Sequence, residues 1–236
     1  MLTRWLKRWK RVLGAEIRRQ RVEPAPHWPA PLKNYLLQPF ADAQTPLSEL
    51  QFLAVDFETT GLSPARDQIL SIGMVDLTLE GIDIASTEEI LLNHGEFVKA
   101  ESAQINGLTP KILQQGITLS RGINRLLERA QGKVLLAHHC QIENSFITAF
   151  LQNNYNLSTF PVCFIDTLQI EKRFSYAGRS RYHESYQLND LRSYYHLPDY
   201  LAHSAASDAF ACAELFLVQA KKLNLQQLAI SQLTVD

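Results

Sequence analysis

Asp56 and Glu58 stand two residues apart at the end of the apolar run FLAVDF (52–57). Along a β-strand, alternate side chains share a face, so this spacing sets the two carboxyls side by side. Two carboxylates on one face of an apolar strand are costly unless something positive lies between them, or one of them turns to solvent where the strand frays. The residues that follow, Thr59-Thr60-Gly61-Leu62, add hydroxyls and a glycine turn that exposes backbone N–H groups. Far along the chain, HSAASDAFACAELF (203–216) puts Asp208 in the first turn of a helix, with His203 just ahead of it. Each of these has an ordinary explanation alone: an aspartate there suits the helix dipole, and a histidine before a helix is commonly a solvated loop residue. A third place is AHHCQIENSFI (137–147), where two adjacent histidines precede Glu143. That glutamate is either a metal ligand or a polar residue on the first turn of a helix.

The elements that must position these groups are legible as periodicity. FLAVDF (52–57), ILSIGMVDL (69–77) and IDIASTEEILL (82–92) read as strands joined by short turns, which suits an antiparallel meander. A helix near 120–130 then precedes strand KVLLA (133–137), and a helix at 143–153 follows it. Strand VCFID (162–166) comes next, then helices near 167–174 and 187–195, and a last helix at about 205–221 whose Ala205, Ala209, Ala213, Leu215 and Phe216 form a packing face. Three antiparallel strands followed by βαβ units describe an α/β fold, a mixed five-stranded sheet flanked by helices.

The chain has 236 residues, 46% of them apolar and 9% aromatic, enough for one domain with a real core. Cys140, Cys163 and Cys212 are odd in number and form no C-x-x-C pair, which argues against a disulfide framework or a zinc knuckle and fits a reducing, cytoplasmic setting. The net charge of −1 conceals an asymmetry: residues 1–22 carry eight Lys and Arg against Glu16 alone, so they hold +7 and the remainder −8. An acidic body is no general nucleic-acid glue, and any contact with nucleic acid is expected at a local site. No apolar run approaches the ~20 residues of a membrane span, and no secretory signal is expected. Residues 1–21 place Leu2, Trp5, Leu6, Trp9, Val12, Leu13 and Ile17 at helical spacing, a basic amphipathic helix for its own domain, a partner protein, a membrane surface or a phosphate backbone. Four prolines within residues 22–31 suggest a semi-rigid linker over 22–47, leaving a folded domain at 48–222 and a tail at 223–236.

Taken together, these residues make the chain resemble the DnaQ-like (DEDDh) 3′–5′ exonuclease family from about Gln51 to Gln219. The family's D-x-E-T-T-G-L stands intact at Asp56–Leu62, and its H-x-A-x-x-D-A at His203–Ala209. INGLTP (105–110) looks like its H-G-I-T segment with Asn106 in the histidine's place, IDTLQI (165–170) like its D-T-L, and YQLNDL (186–191) like its K-L-x-x-L. The middle motif, usually A-H-N-x-x-F-D, falls on Ala137–Glu143, so His139 replaces asparagine, Ile142 replaces phenylalanine and Glu143 replaces aspartate. No aspartate lies between Asp83 and Asp166 to serve instead.

The resemblance implies a ribonuclease H-like fold and a single-stranded nucleic-acid substrate cut from its 3′ end, DNA before RNA. It implies Asp56, Glu58, Glu143 and Asp208 as ligands of two divalent cations, Mg²⁺ or Mn²⁺, since hard oxygen donors favour these over zinc. Such ions ~4 Å apart clamp an in-line phosphoryl displacement. His203 is then the expected general base, Thr59, Thr60 and Leu62 hold the terminal nucleotide, and Asn106 and His139 lie near it, with His138 in a supporting role. A polymerase is an expected partner by analogy. Two alternatives stand beside this reading: a binding module that kept the fold without the chemistry, and an exoribonuclease for short RNA or tRNA ends. Glutamate reaches roughly 1.5 Å further than aspartate, so Glu143 also raises the question of a changed metal preference.

Overall fold

Phe52, Leu53, Ala54 and Val55 are all fully buried, so strand β1 (Phe52–Thr59) is covered on both faces. That is why its sequence is a continuous apolar run rather than an alternation. The computed structural model describes residues 15–93, 107–180, 183–200 and 204–235. Strands β2 (Ile69–Thr78) and β3 (Gly81–Leu91) complete an antiparallel meander on one side of β1. On the other side β4 (Val134–Ala137) and β5 (Phe164–Asp166) run parallel to it. These are the five strands expected, and a sixth of two residues, β6 (Thr234–Val235), adds antiparallel to β5, giving the order β3-β2-β1-β4-β5-β6.

The helices are α1 (Ala30–Leu37), α2 (Pro110–Leu113), α3 (Leu119–Ala130), α4 (Gln141–Tyr155), α5 (Thr167–Phe174), α6 (Tyr176–Arg179), α7 (Leu188–Tyr194) and α8 (Ala205–Lys222). The pleat of β1 divides its side chains between two cores. Leu53, Val55 and Phe57 meet Ile123 and Leu127 of α3 and Phe146, Ile147 and Leu151 of α4. Phe52 and Ala54 meet Ala209, Cys212, Ala213 and Phe216 of α8, with the Phe52 and Phe216 rings 5.1 Å apart. The alanine-rich face lets α8 lie close to the sheet.

Two expectations are corrected. The Pro-rich stretch within 22–47 is no spacer, because it carries α1 and sends Trp28, Leu32, Tyr35 and Leu36 into the first core. Its prolines start a helix: Pro29 is the N-cap and Pro31 sits in the first turn, where a missing N–H is harmless. Tyr35 stacks on Phe160 with ring centroids 5.3 Å apart and donates to the Pro161 carbonyl at 3.2 Å. The C-terminal residues are likewise no free tail. Leu225, Ile230 and Leu233 are buried, and Ala229 bridges to Pro46.

Residues 1–14 of the basic helix lie outside the described residues, while 15–20 are helical and bury Ala15. Glu16 pairs with Arg19 and accepts from the Phe40 N–H, and chiefly that arginine holds its carboxyl down at about 2. Cys140, Cys163 and Cys212 are free and buried, and burial pushes the Cys140 and Cys212 thiols well above their ordinary range. Among the described residues no helix is long and apolar enough to cross a membrane.

Leu32→Ala is expected to destabilise the protein by about 2–5 kcal/mol, the cost of a fully buried leucine. The urea midpoint measures it; a residue in a mere spacer would leave that midpoint unmoved.

Candidate active site

Asp56 pairs across the sheet with Gly73, and Gly73 with Glu89, so one row of three residues crosses β1, β2 and β3. The glycine decides how the last helix sits. A Cβ there would stand 2.0 Å from the Ala205 carbonyl, so only glycine lets the start of α8 rest on β2. Asp208, in the first turn of that helix, is thereby brought against β1. Ser204 caps the helix, accepting from the Ser207 N–H at 3.4 Å and donating to Glu89 Oε2 at 2.7 Å. Further along, the buried Arg192 of α7 donates to the Ala211 carbonyl at 2.8 Å and pairs with Glu214 at 3.0 Å, fixing α8 laterally.

Asp56, Glu58 and Asp208 each bring a carboxylate oxygen within 4.8 Å of the other two. The β1–β2 register shifts between Glu58 and Thr59, a bulge of the kind that re-aims side chains at a strand end.

The middle segment enters from the end of β4. His138 places Nδ1 2.7 Å from Thr167 Oγ1 and Nε2 2.8 Å from the Tyr186 carbonyl. A carbonyl only accepts, so Nε2 carries the proton, and the threonine hydroxyl donates to Nδ1. Burial holds this imidazole below its usual titration range, so it is a neutral strut. His139 then turns the chain with φ +68°, its N–H donating to Asp166 Oδ1 at 3.0 Å. Asparagine and histidine are among the non-glycine residues enriched in that left-handed region, which is why histidine serves where the family uses asparagine. Asp166 also accepts from Leu168 N at 2.9 Å and caps α5. From this turn α4 starts, and Glu143 points inward, 3% exposed.

Glu143 stands outside the 4.8 Å set, and its charge still reaches it. Asp56 is raised well above the carboxylate range, first by burial and then by Glu143, Asp208, Glu58 and Glu89. Glu143 is itself raised to about 8 by burial and by Asp166. Its Oε2 is buried with no hydrogen-bond partner among the described residues. Clustered hard oxygens whose mutual repulsion raises Asp56, with one buried Glu143 oxygen unanswered among the described residues, fit a divalent cation.

The loop after β1 is shaped by Asp67, a residue that the motif reading passed over. Asp67 accepts from the Ser63 N–H at 2.9 Å and from the Thr60 hydroxyl at 3.3 Å, and it fills the space a Gly61 Cβ would need. Thr59 donates to the Gly61 carbonyl at 2.8 Å. Both threonines therefore shape this turn, while Leu62 is 73% exposed. His203 and Asn106 lie outside the described residues. Gly73 and Glu89 were also missed; both act across strands, and no local pattern marks them.

A mixed sheet ending in an acidic cluster against the N-terminus of its last helix is the arrangement of ribonuclease H-like nucleases. The RNase_T family model, described as an exonuclease, matches residues 53–216, and the chain belongs to this DnaQ-like exonuclease family. The DNA polymerase III subunit epsilon of Treponema pallidum is 29% identical over 167 residues, 70% of this chain and 74% of that one. The PolC-type DNA polymerase III of Thermotoga maritima is 26% identical over 166 residues, and the matched part spans 12% of that polymerase. Among solved structures, the nuclease domain of 3′hExo, a DEDDh family member bound to rAMP, superposes with a TM-score of 0.63 at 14% identity, covering 79% of this chain and 96% of that one. Escherichia coli Exonuclease I in complex with a dA16 oligonucleotide gives 0.61 at 18% identity, covering 73% and 41%.

Two outcomes are expected. Folding favours the protonated Glu143, because its folded value of about 8 exceeds the ordinary 4.5. Its contribution to stability is full below about 4.5 and lost as pH rises through about 8. Melting in EDTA should therefore show a midpoint that falls across this window, a smaller fall in Glu143→Gln, and recovery of the wild type with Mn²⁺. Gly73→Ala should lower turnover by about 10²-fold, since a shift of ~1 Å in a catalytic carboxylate suffices for that. Steady-state kinetics beside a melting curve separates this loss from unfolding.

Proposed function

We propose that the protein is a 3′–5′ exonuclease that releases nucleoside monophosphates from single-stranded nucleic acid, DNA in preference to RNA, using two divalent cations, Mg²⁺ or Mn²⁺. The observation that carries this reading is the convergence of Asp56, Glu58 and Asp208, with Glu143 buried beside them and one oxygen unanswered. Asp56, Glu58, Glu143 and Asp208 would hold the cations, which when bound would supply Lewis acidity to the phosphodiester and acidify a water. His203 is the proposed base that takes the proton of the attacking water, a role suited to an imidazole that titrates near neutral pH. Leu62 lies against the terminal base, while Thr59 and Thr60 keep the turn that presents it. Asn106 and His139 are the further residues proposed to contact that nucleotide.

The extra length of Glu143 is compatible with this assignment. It starts from the first turn of α4, on a backbone set by the left-handed His139, and a carboxylate can bind a cation in mono- or bidentate fashion. The preference for DNA and an association with a polymerase rest on the polymerase III relatives. The basic segment over residues 1–21 is a proposed contact for that partner, for the strand itself or for a membrane surface.

The test is digestion of matched 5′-labelled DNA and RNA oligonucleotides. Wild type with Mg²⁺ or Mn²⁺ should shorten the DNA stepwise from its 3′ end, EDTA should stop it, and Asp208→Ala should slow it by at least about 10²-fold. Equal, residual rates for wild type and Asp208→Ala with both metals would leave only a binding module.

A further inference from the structure

Across α5, α6 and the segment that leads into α7, a surface joined through His138 to the start of α4 carries aromatic rings and cations. Tyr186 is the hub. Its carbonyl accepts from His138 Nε2 at 2.8 Å, which ties it to the segment that leads into Glu143. Its hydroxyl donates to the Gly178 carbonyl of α6 at 3.2 Å, and the Lys172 ammonium lies 4.7 Å from its ring centroid. His183 packs edge-on to Tyr186 at 5.3 Å and to Tyr194 at 4.6 Å. Tyr176, on the same short helix as Gly178, is 81% exposed, and Lys172 and Arg179 are exposed too.

This surface stands on a rigid base. Glu171 is fully buried beneath it, accepting from the Tyr195 hydroxyl at 2.8 Å and from Gln219 Nε2 at 3.0 Å and pairing with His183 at 2.9 Å. A Cβ on Gly178 would stand 2.1 Å from the Glu171 carbonyl, so α6 is pressed onto α5 with no room between. The backbone that presents Tyr176 is thus fixed before anything stacks on its ring, which limits the freedom lost on binding.

Rings interleaved with cations match the chemistry of a single strand: bases stack on aromatic faces and phosphates meet lysine and arginine. A neighbouring groove lined by His183, Glu184, Ser185 and Asp190 carries two carboxyls, which disfavour phosphate, so Lys172 and Arg179 are the cations to which a phosphate backbone is assigned.

We propose that the surface around Tyr186 is the track that holds the single strand leading into the acidic site. Tyr176 stacks on a base upstream of the terminal nucleotide, and Lys172 and Arg179 contact backbone phosphates. Tyr186 couples this track to the middle segment through His138. The proposal rests on the exonuclease reading, and its test separates the two.

The full chain and its Tyr176→Ala, Tyr176→Phe and Lys172→Gln/Arg179→Gln variants are compared by fluorescence anisotropy with 5′-fluorescein oligo(dT) of about fifteen nucleotides, with Ca²⁺ replacing Mg²⁺. In parallel, each hydrolyses the p-nitrophenyl ester of thymidine 5′-monophosphate with Mn²⁺, a substrate too short to reach the track. Tyr176→Ala should weaken oligonucleotide binding roughly tenfold, and Tyr176→Phe should keep it. The double variant should lower the salt slope by about 1.4, two phosphates at ~0.7 each. Ester turnover should stay at the wild-type level in all. Unchanged oligonucleotide affinity and salt slope in the Tyr176→Ala and double variants would overturn the track and assign the surface to a protein partner. Failure of wild type to hydrolyse the ester would instead strike the exonuclease reading, and the binding series would still decide the track.

Discussion

Like charges confined where water is scarce set the terms for this molecule. Asp56, Glu58 and Asp208 converge at the end of the central strand, Glu143 lies buried beside them, and Glu89 and Asp166 add their fields from the flanks. Such a cluster of like charges opposes folding, so the stability that holds it together has to come from elsewhere. It comes from the two apolar cores on either face of β1, which lock the strand that carries Asp56 and Glu58. Segments remote in sequence enlarge those cores: α1 adds to the first, and the closing residues with Leu225, Ile230 and Leu233 add to the second. The site is strained by charge, and its scaffold is correspondingly over-determined.

The last helix turns that scaffold into chemistry. Its alanine face and Gly73 permit an approach that any larger side chain would block, and Arg192 and Gln219 hold it along its length. Asp208 is therefore brought to Asp56 and Glu58 by the seating of the Ala205 backbone on Gly73 of β2. The hydrogen bond from Ser204 to Glu89 anchors the residue next to His203 to the edge strand. Position is set by covalent neighbours and packing before any substrate arrives, which is what a catalytic group needs.

Much of this was legible in the sequence, for physical reasons. Short apolar runs bounded by turns mark the five main strands and 3.6-residue patterns mark the helices that bear the site, because burial leaves a local imprint. Asp56 with Glu58, and Asp208, were legible because both motifs stand intact. The Pro-rich stretch misleads because four prolines in ten residues have the composition of a semi-rigid linker, whereas Leu32, Tyr35 and Leu36 lie at the spacing of a buried helical face. Gly73, Glu89 and Asp67 were not legible as site residues. Their importance lies in what stands across a strand or at the base of a turn, and one chain read alone does not record those pairings. The substitutions in the middle motif looked like departures from a pattern; His139 in the left-handed region shows that at least one keeps the backbone the turn requires.

The three thiols take on a different meaning from this arrangement. Cys140 directly precedes the helix of Glu143, Cys163 lies at the entry to β5, and Cys212 sits midway along α8, all three inside the packed body. A thiol reacts as its thiolate, and burial keeps the Cys140 and Cys212 thiols protonated and out of reach of electrophiles. Alkylation at any of them waits for the surrounding element to open, so its rate is a local clock for breathing of the fold. Cys140 reports on the start of α4, and Cys212 on the seating of α8 against β1. The chain thus carries native reporters on two of the helices that supply its acidic residues.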